Sequence, residues 1–448
     1  MCAIIEHTFA NQYKMGYRST HTNCLVRIIP LRGLSAQQKA LCLFLREEAG
    51  RCWTDMLNAH IESRNGKWLS SVDLSKRFKG QYVLHSQSIQ ALSEKLEANI
   101  NTARELRKSD PEARYPYHPK KYQTVVWKES AIHRLEGGQL LLSNGRTNAP
   151  LVLSVPSEYL DVDICKAELT WRADHYELCL TIDTGLVNPP CKQTGQIVGV
   201  DLGEINIAAV ATETGDTLVV SGRALRSVKR LRNKRHTALD ALISRCKPGS
   251  KRHRRLLKSK AKASAKMYRQ QRDILHKASR QVVQFCQANE VKSIAVGDVR
   301  DIQDGVDLGS NSNQKISQWP HGQFVKYIAY KSAEYGMQTS YIPEDYSTRT
   351  CSGCRRVAKR APRGRVYICP RCGAVIHRDA NGASNICSRA RHGSYGFVQV
   401  QTIMYLRPIR RSRAFDTGWR QVEDPALAGA PLRCGAIATP NPIGFSRG

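Results

Sequence analysis

Two cysteine pairs, Cys351-Ser-Gly-Cys354 and Cys369-Pro-Arg-Cys372, constrain the fold of this chain more than any other feature. A Cys-x-x-Cys turn places two thiolates on one ion, and four thiolates complete the tetrahedral coordination of Zn²⁺. The fourteen residues between the pairs are enough for a short hairpin. Because four sulfurs leave no position for a catalytic water, we predict one structural Zn²⁺ in a zinc ribbon. Two unrelated pairs of reduced thiols are the alternative.

The charge of the chain indicates its class of partner. Its 448 residues include 69 Lys and Arg against 38 Asp and Glu, a formal net charge of +31. Such an excess repels itself unless a polyanion binds, so nucleic acid is the expected partner and a membrane surface the alternative. The sequence has no run of about 18 apolar residues and no signal-peptide pattern, so we expect no membrane partner. Cysteines outside the two pairs follow no pairing pattern, so we expect a reducing cytoplasm.

The first half of the chain contains helical and β patterns in succession. Ser35 and Gln38 stand at the spacing of a capping box and predict a helix that starts there, and an apolar stripe predicts a second helix at 88–106. Short apolar runs at 122–183, separated by turn residues, predict an antiparallel β domain. The predicted segments are 1–33 for a lead and first β-strand, 34–118 for a helical domain and 119–190 for the β domain.

A new domain is predicted to begin near Ile197, where Ile-Val-Gly-Val precedes Asp201. A carboxylate on a buried strand is costly unless something cationic compensates it, so Asp201 is a candidate metal ligand. An aspartate that caps the strand end is the alternative. Apolar runs at 293–297 and 339–342 predict two more strands, and the Gly-, Ser- and Asn-rich stretch 304–316 predicts a loop between them.

Residues 222–280 form a strongly basic segment, with 21 Lys and Arg residues and only Asp240 and Asp273 as acids. The turn Lys247-Pro-Gly-Ser250 divides it, so we predict a hairpin of two long helices at 222–288. Like charges at helical spacing repel unless phosphates neutralise them, which favours a nucleic-acid-binding surface over an ordinary solvated face. The candidate contacts are Arg226, Lys229, Arg230, Lys234, Arg252, Arg255, Lys262 and Arg269, together with Arg378 near the ribbon.

The motifs of the second half resemble those of the TnpB family. The resemblance covers about residues 195–390 and is only architectural before them. TnpB proteins are transposon-encoded, RNA-guided DNA endonucleases with a RuvC-like domain, related to type V CRISPR effectors and Fanzor proteins. The matching motifs are IVGVDLG, the basic hairpin, SIAVGDVRDI, YSTRTCSGC, CPRC and HRDANGASNI.

The resemblance implies a multidomain α+β fold. Its centre is a RuvC-like, RNase H-like α/β nuclease core, preceded by a wedge-like antiparallel β domain with a helical recognition insert. The implied segments are the core at 195–345, the zinc ribbon at 346–376 and the last core helix at 377–394. Residues 395–448 are rich in Arg, Pro and Gly with little periodicity, which predicts a disordered basic tail. The implied partners are a guide RNA and double-stranded DNA with a short flanking motif, in a prokaryotic cytoplasm at the nucleoid. One or two protein copies per RNA remain open.

By the same resemblance, Asp201 and Asp379 match the first and last carboxylates that bind two catalytic Mg²⁺ ions. The family's second carboxylate, a strand-end glutamate, is replaced here by Gly297. Asp298 is adjacent, but successive side chains of a strand point to opposite faces. Either the site is inactive, or Glu344 reaches into the space left at Gly297; we favour Asp201, Glu344 and Asp379 as the site. The alternatives to Glu344 are Asp298, Asp301 and Asp345.

The function that the resemblance implies is RNA-guided cleavage of DNA by two-metal phosphodiester hydrolysis. A nuclease-inactive, RNA-guided DNA-binding regulator and a compact type V CRISPR effector are the alternatives. In the last motif, Asn381 and Asn385 are expected to support the carboxylate or a phosphate at the helix start.

Overall fold

The computed structural model describes residues 22–63, 66–300, 302, 307, 309–360, 362, 364–408 and 419–422. The chain divides into two compact units, with the boundary between Val187 and Asn188. We name them the N-terminal unit (19–187) and the C-terminal unit (188 onwards). None of the described helices is both long enough and apolar enough to cross a membrane.

The N-terminal unit combines three helices with two antiparallel sheets among its described residues. Four strands form one sheet in the order β1-β7-β6-β2, and three form the other in the order β3-β4-β5. The helices are α1 (Ala36–Glu62), α2 (Ser71–Phe78) and α3 (Ser86–Ser109). The strands are β1 (Thr22–Leu31), β2 (Val125–Lys128), β3 (Ile132–Leu135), β4 (Gln139–Leu142), β5 (Leu151–Ser154), β6 (Asp163–Trp171) and β7 (Tyr176–Val187).

Local signals in the sequence account for much of this unit. The predicted capping box is present, because Ser35 Oγ accepts the Gln38 amide at 3.1 Å and Gln38 Oε1 accepts the Ser35 amide at 2.9 Å. Buried side chains from helices and sheets, such as Trp53 and Trp127, belong to one hydrophobic core. Residues of the helical segment 34–118 and of the β segment 119–190 therefore share one core within this unit.

The C-terminal unit has a seven-stranded sheet in the order β12-β11-β8-β9-β10-β15-β16. Strands β8, β9 and β10 form an antiparallel meander, and β11 and β12 lie parallel to β8. The strands of this sheet are β8 (Gln196–Asp201), β9 (Asn206–Thr212), β10 (Asp216–Ser221), β11 (Val291–Gly297), β12 (Gln338–Ile342), β15 (Thr402–Pro408) and β16 (Trp419–Val422). Two further strands, β13 (Val366–Ile368) and β14 (Val375–His377), pair with each other in an antiparallel two-stranded sheet. The helices are α4 (Arg223–Ile243), α5 (Lys251–Ala288), α6 (Ser310–Ser317), α7 (His321–Ala333) and α8 (Arg378–His392).

The two faces of strand β8 explain its composition. Val198 and Val200 are fully buried in a core that also contains residues of α5 and α7. Gly199 points to the opposite face, as alternation along a strand requires, and there α8 packs against the sheet. A Cβ atom at Gly199 would overlap the Ala383 carbonyl oxygen and the Cys387 amide. Only glycine therefore permits this helix to lie so close to the sheet.

Two sequence predictions about irregular structure are wrong. The segment 395–448 was predicted to be disordered, but β15 pairs in parallel with β10 and extends the central sheet, and β16 pairs with β15. The run Ile403-Met-Tyr-Leu406 supplies apolar side chains to both faces of this extension. In addition, α6 occupies part of the predicted loop 304–316. The stretches 409–418 and 423–448 lie outside the described residues.

Replacing Gly199 with alanine tests the close packing of α8. We expect G199A to lower the free energy of unfolding by about 1–3 kcal/mol, because the new methyl group meets backbone atoms that cannot move independently. Gly322 in α7 is the matched control, since a Cβ atom there meets nothing within 4 Å. Thermal unfolding should show G322A at least as stable as the parent chain; equal stability of the two variants would contradict the packing argument.

Candidate active site

Asp201, at the end of central strand β8, lies against the first turns of α8. It shares a strand face with Gly199, two residues earlier, and that face is covered by the helix. A Cβ atom at Gly382 would lie 2.5 Å from Asp201 Oδ2, so the second glycine brings the helix directly over the carboxylate. Asp201 is a candidate from its sequence alone, but the two glycines are not, because only contacts distant in sequence distinguish them.

Glu344 occupies the space that Gly297 leaves open. Strands β11 and β12 are paired in parallel with Gly297 opposite Ile342, so Glu344 lies two residues beyond the paired end. A Cβ atom at Gly297 would overlap Glu344 Oε2 and would lie 3.0 Å from Ile386 Cδ1 of α8. The glutamate carboxylate therefore lies where a side chain at position 297 would begin.

Asp379 stands in the first turn of α8 and is held by polar groups from several elements. The N-cap His377 accepts the Asp379 amide through Nδ1 at 3.2 Å. Asn206 Nδ2 donates to Asp379 Oδ2 at 2.8 Å, and Tyr405 Oη of β15 donates to Asn206 Oδ1 at 3.0 Å. The segment predicted to be a disordered tail thus orients a site residue through Asn206.

Two arginines neutralise the Asp379 carboxylate. Arg365 Nη1 donates to both carboxylate oxygens, at 2.8 and 3.1 Å, and Arg378 Nε donates to Oδ1 at 3.1 Å. Arg365 precedes β13, and its carbonyl oxygen accepts the Arg378 amide at 2.7 Å. Arg378, predicted as a nucleic-acid contact, is here the partner of Asp379. Arg365 was missed, because nothing in its local sequence distinguishes it from the other arginines of the ribbon.

The surroundings raise the pKa values of two of the three carboxyl groups and lower the pKa of the third. Burial, followed by the charges of Asp379 and Glu344, holds the pKa of Asp201 well above its usual value. Burial, followed by Asp298 and Asp345, raises the pKa of Glu344 to about 7. For Asp379, burial is outweighed by His377, the two arginines and Asn206, and the pKa is lowered. The dependence of Asp201 on both partners indicates that the three groups form one electrostatic cluster.

The alternatives to Glu344 are placed less favourably. Asp298 binds Arg300, whose Nη2 lies 2.6 Å from Asp298 Oδ2, and this interaction lowers the pKa of the aspartate. Asp345 is exposed. Asp301 lies outside the described residues. Among the described alternatives, the geometry favours Glu344.

The four predicted zinc ligands come together in the structure. The Sγ atoms of Cys351, Cys354, Cys369 and Cys372 all lie within 4.8 Å of one another. The Cys351–Cys372 pair is separated by 3.7 Å and the Cys354–Cys369 pair by 3.5 Å. Zn–S bonds of about 2.3 Å in a tetrahedron require sulfur separations near these values. The cluster could therefore bind a metal ion.

Two buried asparagines connect this cluster to α8. Asn381 Oδ1 accepts the Ser352 amide at 2.9 Å, and its Nδ2 donates to the Thr350 carbonyl at 2.8 Å. Asn385 Nδ2 donates to the Thr350 carbonyl at 2.7 Å and to the Ser347 carbonyl at 2.8 Å. These side chains hold the backbone of the first cysteine turn and of Ser347 rather than a site carboxylate, so that part of their expected role is wrong, and support of a phosphate stays a prediction.

The basic hairpin is present as α4 and α5, and most of its predicted contacts are on the surface. Lys229 is an exception: it is only 8% exposed, and burial lowers its pKa to about 8. It is therefore not available to a phosphate on the hairpin surface. Arg226 pairs with Glu204 at 3.1 Å, and Arg269 is partly buried. The exposed members are Arg230, Lys234, Arg252, Arg255 and Lys262.

The raised pKa of Glu344 predicts a pH dependence of stability. In the unfolded chain the group ionises near 4.5 and in the folded protein near 7, so its contribution to stability is lost as the pH rises through this window. Without added Mg²⁺, E344Q should therefore be more stable than the parent by about 1–3 kcal/mol at pH 8, and by much less at pH 5. Chemical denaturation at both pH values measures the difference.

The exposed Glu290 of the same unit provides a matched control. E290Q should show the pH dependence of the parent chain. A gain in stability for E344Q that is equal at pH 5 and pH 8 would contradict the raised pKa.

Comparisons with known proteins match the regions of the chain that carry the sequence motifs. Residues 177–303 match the family model OrfB_IS605, described as "Probable transposase", and residues 321–386 match the model of the Cas12f1-like TNB domain. The cryo-EM structure of a Cas12f1–sgRNA–target DNA complex is similar in fold, with a TM-score of 0.58 and 14% identity, and covers 79% of this chain and 83% of that one.

Curated relatives match parts of the chain. The "TnpB-like protein L79" of Acanthamoeba polyphaga mimivirus is 27% identical over 150 residues, 32% of this chain and 28% of that protein. The "Putative RNA-guided DNA endonuclease" of Streptomyces pristinaespiralis is 26% identical over 245 residues, 54% of this chain and 56% of that protein. The matches thus span about half of these relatives or less. Together, the family models, these relatives and the Cas12f1 fold confirm the resemblance of this chain to the TnpB family.

Proposed function

We propose that this chain is an RNA-guided DNA endonuclease whose C-terminal unit contains a RuvC-like, RNase H-like core. The observation that carries the proposal is the Glu344 carboxylate in the space left open at Gly297. It offsets the carboxylate missing from that strand and joins Asp201 and Asp379 in one electrostatic cluster. An inactive site would give no reason to hold a half-buried glutamate with a buried, unpaired carboxylate oxygen there.

The three carboxylates fit divalent metal ions. Glu344 Oε2 is buried and has no hydrogen-bond partner among the described residues, and Asp201 is held among negative neighbours. Mg²⁺ prefers such oxygen donors, and a cation would compensate the charge. Two bound Mg²⁺ ions would activate a water and stabilise the leaving oxygen of a phosphodiester. Asp201, Glu344 and Asp379 would hold both ions.

We assign the two arginines of the site the role of binding a DNA phosphate. Arg365 and Arg378 satisfy Asp379 in the protein alone. A cation bound to Asp379 would compete with them, and their guanidinium groups would then be close enough to hold a phosphate beside the carboxylates. Asn206 would keep Asp379 oriented during this exchange.

Guide RNA and double-stranded target DNA are the proposed partners. The name of the Streptomyces relative and the RNA and DNA of the Cas12f1 complex support them. The exposed cations of α4 and α5 would bind the nucleic-acid backbone, while base pairing with the guide selects the target. We assign wedge and recognition roles, including contact with the flanking DNA motif, to the N-terminal unit, and a structural Zn²⁺ to the four cysteines.

The function is tested first with the copurified complex. The protein is purified from cells, the RNA that accompanies it is sequenced, and the complex receives Mg²⁺ and plasmids with a guide-matched target beside a randomised flank. Cleavage that depletes one flanking motif supports the proposal. Guided binding without cleavage would contradict the nuclease and favour the regulator.

The role of Glu344 is tested by comparison with its exposed neighbour Asp345. We expect E344A to reduce the single-turnover cleavage rate at least a hundredfold, because the site loses a metal ligand, while D345A stays within about threefold of the parent. D201A and D379A should resemble E344A. Cleavage by E344A at the rate of D345A would contradict the assignment.

Moving the carboxylate sharpens this test. G297A should also lose cleavage, because its methyl group overlaps the Glu344 carboxylate. In the double variant G297E/E344G the carboxylate comes from β11 instead, and partial recovery relative to E344G is the expected result.

Zinc removal should disable the site indirectly. The ribbon carries Arg365 and is bonded to the start of α8 through Arg378, so its unfolding displaces groups around Asp379. We expect C354S to lose Zn²⁺ and to cleave at least tenfold more slowly than the parent. C191S, at an exposed cysteine, should keep its Zn²⁺ and its cleavage rate. Metal analysis and cleavage assays with excess Mg²⁺ provide the readout; full activity without zinc would contradict this coupling.

A further inference from the structure

Tyr346, two residues after Glu344, has an unusual backbone conformation. Its φ angle is +63°, in the left-handed region that glycine and asparagine adopt readily and that bulky side chains avoid. Its side chain is also 57% exposed, so burial of the ring does not compensate the strain. Backbone strain in a bulky residue persists when the surrounding structure enforces it, and such residues cluster at functional sites.

Hydrogen bonds fix the turn around Tyr346. Its carbonyl oxygen accepts the amides of Arg349, at 2.9 Å, and Thr350, at 3.0 Å. The Glu344 carbonyl accepts the Ser347 amide at 3.0 Å, and Asn385 of α8 holds the Ser347 carbonyl. The ring of Tyr346 is therefore attached to the same rigid turn as the Glu344 carboxylate.

A guanidinium group lies over the ring. Arg349 Cζ is 4.8 Å from the ring centroid, and Arg349 Nε donates to the Ala358 carbonyl at 2.9 Å, which fixes the side chain. The structure thus supplies an exposed aromatic ring with a pinned cation beside it. Aromatic rings in such surroundings stack with nucleobases irrespective of sequence, and arginine adds a cation–π contribution.

We propose that Tyr346 is a stacking platform for an unpaired DNA base next to the acidic site. This inference rests on the proposed function, because it assigns the ring to the strand that the carboxylates would cut. A base within a duplex is stacked on both sides, so the ligand is a single-stranded segment. The rigid turn would align that base, and hence its phosphate, with Glu344. The observed strain is then the consequence of presenting a ring where glycine would fit best.

The test separates stacking from folding by three substitutions. Y346G removes the ring and relieves the backbone strain, Y346F keeps the ring and the strain, and Y335A removes an exposed tyrosine elsewhere in the unit. The full-length protein is titrated, without Mg²⁺, into single-stranded DNA that carries 2-aminopurine, whose fluorescence is quenched by stacking. Melting temperatures are recorded in parallel.

We expect Y346G to melt no lower than the parent, to bind the strand at least fivefold more weakly and to lose most of the quenching. Y346F and Y335A should bind and quench as the parent does. Binding and quenching by Y346G equal to those of Y346F would overturn the proposal, and so would an equal loss in Y346F, which would assign the effect to the hydroxyl group.

These readouts do not depend on cleavage. A parent complex that binds its guided target but leaves it uncut contradicts the nuclease function, and quenching that depends on the ring still supports stacking in that case. Cleavage that requires Asp201, together with unchanged binding by Y346G, overturns stacking alone.

Discussion

The close contact between α8 and the central sheet is the constraint on which the candidate site depends. Gly199 lets the helix backbone approach β8, and Gly382 lets it pass directly over Asp201. A protein interior is packed too densely to absorb even one extra methyl group there without displacement. This contact brings the first turn of α8, and with it Asp379, to the strand that ends in Asp201.

The same helix connects the site to parts of the unit that are distant in sequence. Asn381 and Asn385 bind the backbone of the first cysteine turn, so the cysteine cluster and the helix hold one another in place. Tyr405 of β15 reaches Asp379 through Asn206. Because buried polar groups need partners, each of these contacts fixes an element that would otherwise have little reason to lie beside the site.

Burial and mutual repulsion oppose the ionisation of neighbouring carboxyl groups, even in a protein of net charge +31. Burial disfavours ionisation of Asp201 and Glu344, while Arg365 and Arg378 keep Asp379 ionised. Protons, arginines or a bound cation can each compensate the negative charge of this cluster. In the proposed function, DNA would bring a phosphate to the arginines as cations reach the carboxylates.

The sequence by itself determined the features that depend on neighbouring residues. The capping box at Ser35, the helical hairpin divided at Lys247, the pairing of cysteines and the strand ending at Asp201 follow from local spacing and periodicity. Glu344 became a candidate only through the family resemblance, because a glycine where TnpB proteins carry a carboxylate leaves room for a side chain from a neighbouring strand.

Only the tertiary structure decided what depends on long-range contact. Arg365 is one ribbon arginine among several until the hairpin places it on Asp379, and Lys229 has the pattern of a surface cation until it is found buried. Strand β15 needed its partner β10 to become a strand. Burial and pairing are properties of the folded arrangement, and a periodic pattern specifies a face of an element but not what covers it.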